Sequence, residues 1–158
     1  MKKIILIIIL LFTLAFVYKS TLYNPLPHNS KILKIIIDKK AHTMTVYTDT
    51  DIVKVYKVAL GRGVYGIKDA NWDNITPSGN YYVSFKNPNS AYHKALGISY
   101  GNDIEIHGIK NGWPSIGNLH SLIDWTRGCI AVSNIEIDDI YSHTAVGAIV
   151  SIEYLKEE

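Results

Sequence analysis

A histidine followed by glycine at 107–108, and a glycine followed by cysteine at 128–129, are the residues of this sequence best suited to chemistry. Cys129 is the chain's single cysteine, so no internal disulfide can claim it. It is an inert buried residue, an intermolecular bridge or a nucleophile. A thiol with a pKa near 8.5 is mostly protonated at neutral pH, so a nucleophilic cysteine needs a base or a cation beside it. His107 is the candidate base, and Arg127 adds positive potential. Gly128 suits a tight turn, shared with Thr126 and Arg127, in which backbone N–H groups are aimed at the oxyanion of an acyl transfer.

The interval between the two motifs holds Trp113, His120, Asp124 and Trp125. His120 is expected on the surface of a helix, with substrate orientation as the alternative. Asp124 is expected to pair with Arg127, and the two tryptophans either wall a cleft or pack beneath it. Tyr92, His93 and Lys94 are expected to decorate a loop. The histidines at 28, 42, 93, 107, 120 and 143 lack the close His/Cys spacing of zinc sites, so no metal and no cofactor is expected. The run from Gly61 to Gly66 echoes a dinucleotide-binding glycine pattern, but no helical pattern follows and a flexible turn is the better reading.

These residues need a scaffold, and the rest of the sequence describes one. Short runs rich in Ile, Val, Thr and Tyr at 32–38, 43–48, 53–60, 81–85, 97–100 and 103–107 are separated by turn formers and predict strands. A last strand is predicted at 148–154, and helices at 115–122 and 134–142, the second capped by Asn134. Strands at this spacing predict a mainly β, minor α fold, with a largely antiparallel sheet folded as a sandwich or barrel.

The sequence has 158 residues, enough for one domain and an appendage. Sixteen basic against 14 acidic residues give a net charge of +2, which argues against nucleic acid as a partner. Two lysines and then fifteen uncharged residues from Ile4 to Tyr18 predict a signal anchor over 1–19, or a secreted protein if the segment is cleaved. Lys2 and Lys3 would stay cytoplasmic, leaving the remainder outside. Residues 20–30 are expected as a linker, and 31–158 as the catalytic domain.

Ile106-His107-Gly108, then Thr126-x-Gly128-Cys129-Ile130 and Asn134, resemble the signature of the L,D-transpeptidase catalytic domain, the YkuD type. Upstream, Ile35 to Asp38, the run from Val55 to Gly61 and the Thr-Pro-x-Gly-x-Tyr turn beginning at Thr76 resemble the same family, over about residues 33–153. The resemblance implies a cysteine that attacks the third residue of a peptidoglycan tetrapeptide stem and releases the terminal D-alanine. An amine of a neighbouring stem, water or a protein lysine then takes the acyl group. It implies Cys129 as nucleophile, His107 as base, Gly128 and the Cys129 N–H in the oxyanion turn, and a capping role for Asn134. His120, Trp125 and Asn134 are candidate substrate contacts.

Ala131 stands where many members carry arginine, and the segment Asp-Trp-Thr-x-Gly-Cys-Ile-Ala at 124–131 resembles a subgroup some of whose members hydrolyse stem–lipoprotein links. Expected partners are therefore peptidoglycan stems, a membrane through the anchor and, in one reading, a lipoprotein acceptor. Cross-linking, stem hydrolysis, a non-catalytic wall-binding module and a metal-dependent envelope hydrolase stay as competing functions.

Overall fold

The computed structural model describes residues 2–49, 51–63, 73–101, 103–113 and 117–154. The β-branched runs form strands: β1 Ile32–Asp38, β2 Thr43–Tyr47, β3 Ile52–Lys57, β4 Gly79–Ser90, β5 His93–Ile98, β6 Glu105–His107, β7 Ile130–Ala131 and β8 Thr144–Glu153. They join in one sheet in the order β3-β2-β1-β8-β4-β5-β6-β7. Pairing is parallel between β1 and β8 and between β6 and β7, and antiparallel elsewhere.

β4 is the joint of the sheet. Its first residues, Gly79 to Tyr82, pair with β8, and from Val83 onward it pairs with β5 across an irregularity between Val83 and Phe85. Such a bulge bends a strand and increases its twist. The curl carries the stretch after β3 onto β7, where Ala59 and Ala131 exchange N–H···O bonds of 3.0 and 2.9 Å. The fold is mainly β, as expected, and its two outer strands are brought together around one core.

Alternation along the strands sends Ile35, Ile37, Met44 and Val46 inward from one half, and Leu96, Ile98, Ile106 and Ile130 from the other. Helix α2, Asn134–His143, closes the core with Ile137 and Ile140. Ser133, not the expected Asn134, precedes its first turn, and the Glu136 carboxylate accepts the Ser133 N–H at 2.9 Å and hydroxyl at 2.6 Å. At its other end the Lys86 ammonium donates to the carbonyls of Tyr141 and Thr144.

Some elements differ from expectation. β4 continues through Asn87-Pro88-Asn89, read in the sequence as a turn, because pairing with β5 resumes past an irregularity between Asn87 and Ser90. β5 starts at His93 instead of 97, and β8 starts at Thr144, directly after α2. Of the helix expected at 115–122, residues 115 and 116 lie outside the described residues, and Gly117–Leu122 is a 3-10 helix. Residues 64–66 of the glycine pattern likewise lie outside.

Helix α1 is Lys2–Leu22, with the side chains of Ile4 to Phe12 between 49% and 76% exposed. The expected membrane anchor finds no support, since no helix among the described residues is long and apolar enough to cross a membrane. The physical reason is length. Fifteen uncharged residues rise about 23 Å at 1.5 Å each, short of the ~30 Å hydrocarbon layer.

The stretch expected as a linker makes firm contacts. The Tyr23 hydroxyl donates to Asp139 Oδ2 at 2.6 Å, the Leu26 N–H donates to the same oxygen at 2.8 Å, and the Leu26 side chain is buried. Lys54 donates to the Asn24 carbonyl and lies over the Tyr23 ring, 3.8 Å from Asp139. Burial and the Asp139 carboxylate hold the Tyr23 phenol protonated well above its ordinary range. Asp139→Ala leaves the Leu26 N–H unmatched and the Tyr23 hydroxyl with its longer bond to Ile135 O at 3.2 Å, and is expected to lower the unfolding free energy by about 2–3 kcal/mol. Urea denaturation measures that loss, with proteolysis near Tyr23 accelerating in parallel; an unchanged midpoint would refute the latch.

Candidate active site

Two backbone crossings build the site. Segment 59–62, leaving β3, runs beside 124–131: the Thr126 N–H donates to Leu60 O at 3.1 Å, and the Arg62 N–H donates to Thr126 O at 3.0 Å. The chains approach so closely that a Cβ on Gly61 would lie 2.1 Å from Asn74 O and 2.9 Å from Gly128 Cα. Gly128 has φ +118°, a region that L side chains avoid. The Thr76 hydroxyl accepts the Gly61 N–H at 2.8 Å. Behind it the buried Lys39 ammonium donates to Thr76 O at 2.6 Å, so the Thr-Pro-x-Gly turn braces the crossing from behind.

The turn itself is closed by one hydroxyl. Thr126 Oγ1 accepts the Gly128 N–H at 3.2 Å and donates to Cys129 O at 2.7 Å. Gly128 lies in this turn, and its N–H is engaged there by Thr126 Oγ1. The Cys129 N–H has no acceptor among the described residues.

Cys129 and His107 line the same cavity, of about 410 Å³. His107 ends β6 and is 2% exposed. Its Nδ1 lies 2.7 Å from Gly108 O. A carbonyl can only accept, so Nδ1 carries the proton and Nε2 keeps its lone pair. Asn134 holds the same corner, with its Oδ1 accepting the Ile109 N–H at 2.7 Å. That contact explains why Asn134 is not spent on capping, and Asn134 does not line the cavity.

Burial pushes the His107 pKa down, from its ordinary 6.5 to about 4, against the pull of the Gly108 carbonyl. Burial also pushes the Cys129 thiol up; the Glu105 N–H and Arg127 favour thiolate, while the carboxylates of Glu105 and Asp103 oppose it. The thiol rests 3.5 Å from Asp103 O, to which it donates. The resting pair is therefore a neutral thiol and a neutral imidazole.

Aromatic rings frame the histidine. The Tyr92 ring lies 4.4 Å from His107 and Trp125 lies 5.8 Å from it, with Trp113 6.2 Å from Trp125. Both tryptophans wall the cavity, settling the alternative left by the sequence, and so does Tyr92, expected as loop decoration. The signal for Tyr92 was non-local: its carbonyl accepts the Gly108 N–H, which follows only from the pairing of β5 with β6. His120 is a correction. It is buried at 3% exposure and lines a separate apolar hollow behind Trp113 and Trp125. Asp124 is another, for it pairs with His42 instead of Arg127.

Ala131 is buried in β7, paired with Ala59 and His107, and does not itself line the cavity. Positive charge comes instead from Arg62, Lys110 and Arg127, opposite Asp103 and Glu105. Such a lining suits a ligand that carries both carboxylate and ammonium groups.

The model of the L,D-transpeptidase catalytic domain, YkuD, matches residues 33–152, and the chain belongs to this family. A Bacillus subtilis (strain 168) protein, YqjB, whose name places it among the L,D-transpeptidases, is 29% identical over 147 residues, 82% of this chain and 74% of its own. Among solved structures, the L,D-transpeptidase of Xylanimonas cellulosilytica superposes with TM-score 0.59 at 19% identity, covering 83% of this chain and 65% of that one. The helical cell shape determining protein Pgp2 of Campylobacter jejuni superposes with TM-score 0.61 at 22% identity, covering 84% and 51%. The chain thus spans between about half and two thirds of these solved chains.

Two outcomes follow from the neutral pair. Alkylation of Cys129 by iodoacetamide is expected to keep accelerating with pH through and beyond the ordinary thiol range; a plateau at neutral pH would signal a preformed thiolate–imidazolium pair. Between about pH 6.5 and 4 the unfolded chain binds a proton at His107 that the folded chain refuses, so stability falls on acidification, by roughly 3 kcal/mol over this window. His107→Gln should remove that component from urea titrations at pH 7, 5 and 4, and equal slopes for the two proteins would refute the assignment.

Proposed function

We propose that the chain is a cysteine acyltransferase acting on peptidoglycan stem peptides in the cell envelope, with Cys129 as nucleophile and His107 as base. The observation that carries this reading is the pair itself: one thiol and one tautomer-fixed imidazole on a single cavity, in a chain of a cell-wall-related family. The mixed charge of the cavity supports a stem as ligand, since a stem presents both ammonium and carboxylate groups.

In the proposed reaction His107 Nε2 takes the Cys129 proton as Sγ attacks the carbonyl of the third stem residue. A tetrahedral oxyanion forms, and in this reading the Cys129 N–H, without an acceptor among the described residues, donates to it. On collapse, the imidazolium gives its proton to the departing amide nitrogen; D-alanine leaves and a thioester remains. An amine of a neighbouring stem then attacks the thioester, giving His107 its excess proton, and a new amide forms as the thiol is restored. Water in place of the amine gives a free carboxylate, and a protein lysine gives a stem–protein link. Thr126 holds the turn, Arg127 and Arg62 supply positive potential, and Trp125 walls the histidine side. In this reading Gly128 acts through its conformation, while Asn134 and His120 act as supports and not as substrate contacts.

The test is to incubate the protein with disaccharide-tetrapeptide and follow products by mass spectrometry. Wild type is expected to release D-alanine, and Cys129→Ala to release none above background, a loss of at least about 10³-fold for removal of a nucleophile. Cross-linked dimers identify an amine acceptor, and tripeptide alone identifies water. Equal release by both proteins, or by neither while both are folded, would sink the proposal.

A further inference from the structure

We propose that His42 and Asp124 form a positioning clamp through which the turn between β1 and β2 sets the geometry of the Cys129 turn; this rests on the acyl-transfer reading above. Asp124 is held at both oxygens by different parts of the fold. Its Oδ1 accepts the Leu60 N–H at 2.8 Å, and its Oδ2 lies 3.0 Å from His42 Nε2. An ionised carboxylate only accepts, so Nε2 is the donor and the side chain is pinned against rotation by two charge-assisted bonds.

The histidine end of the clamp is itself fixed. His42 has φ 51°, an uncommon conformation for a residue with a side chain, and one that persists where the surroundings determine it. Its carbonyl accepts the Val58 N–H at 3.1 Å, and Asp38 Oδ1 accepts the N–H groups of Lys40 and Ala41 in the same turn. The ring therefore comes from a rigid corner of the sheet.

The other end leads straight to the chemistry. Trp125, the next residue, packs at 5.8 Å on His107, and Thr126 closes the turn on Cys129. Neither His42 nor Asp124 lines the cavity. They act through their neighbours, as positioning residues. With the clamp released, this side of the turn keeps the backbone bonds of Thr126 to segment 60–62 and the Ala59–Ala131 exchange, but no side-chain tie from Asp124.

In the full chain, His42→Ala and Asp124→Ala are each expected to lower kcat for D-alanine release by about a hundredfold with KM changed less than about threefold, the signature of a misplaced nucleophile. His42→Gln keeps a donor for Asp124, and is expected to recover kcat to within about fivefold of wild type. Amide exchange across 124–129 is measured beside turnover: faster in both alanine variants, native in the glutamine variant. Equal kcat loss in all three variants, or native exchange in the alanine variants, overturns the clamp. If Asp124→Ala does not fold, the two His42 variants decide alone. If wild type releases no D-alanine, the function falls separately; accelerated exchange at 124–129 then sustains the clamp and native exchange overturns it.

Discussion

The close crossing of segment 59–62 over segment 124–131 is the constraint on which this molecule depends. Two glycines meet there, Gly61 with no room for a Cβ and Gly128 held at a positive φ, and the surrounding ladder from Leu60 to Arg62 converts that proximity into a fixed register. Everything near the thiol is placed by it. Thr76 and Lys39 hold Gly61 from behind, Thr126 closes the turn in front, and the exchange between Ala59 and Ala131 finishes the curl of the sheet. The cysteine therefore sits, half-buried, at a seam between two braced segments and not on a free loop.

Burial then decides the electrostatics. Both members of the pair are shifted toward their uncharged forms, the imidazole downward and the thiol upward, by the same loss of water. A neutral pair stores little charge to be screened or scavenged. The lining of Arg62, Lys110 and Arg127 against Asp103 and Glu105 places opposing signs within the same small volume.

How much of this was legible beforehand depended on whether the cause was local. β1 and α2 were readable because β-branched alternation and a polar-to-acidic helix start are written in consecutive residues. The His-Gly and Gly-Cys motifs were readable because chemistry restricts the residue types. Asn134 was located correctly but given the wrong task, since a cap and a brace for the His107 corner use the same side-chain oxygen. His42, Tyr92 and the burial of His120 were not legible, because each follows from elements that meet only when the sheet curls. Pro88 and Asn89 signalled a turn, and strand pairing overruled them. Ala131, standing where many members carry arginine, is a buried strand residue of β7 paired with His107.

The bond between Tyr23 and Asp139 has a mechanical meaning as well. Residues 20–30, left loose, would behave as a leash with a root-mean-square reach of about 18 Å. Fastened at Tyr23 and Leu26, that freedom is lost over this part of the stretch. The folded body thus begins at Tyr23, and the stretch ahead of β1 is carried on α2 instead of swinging free of it.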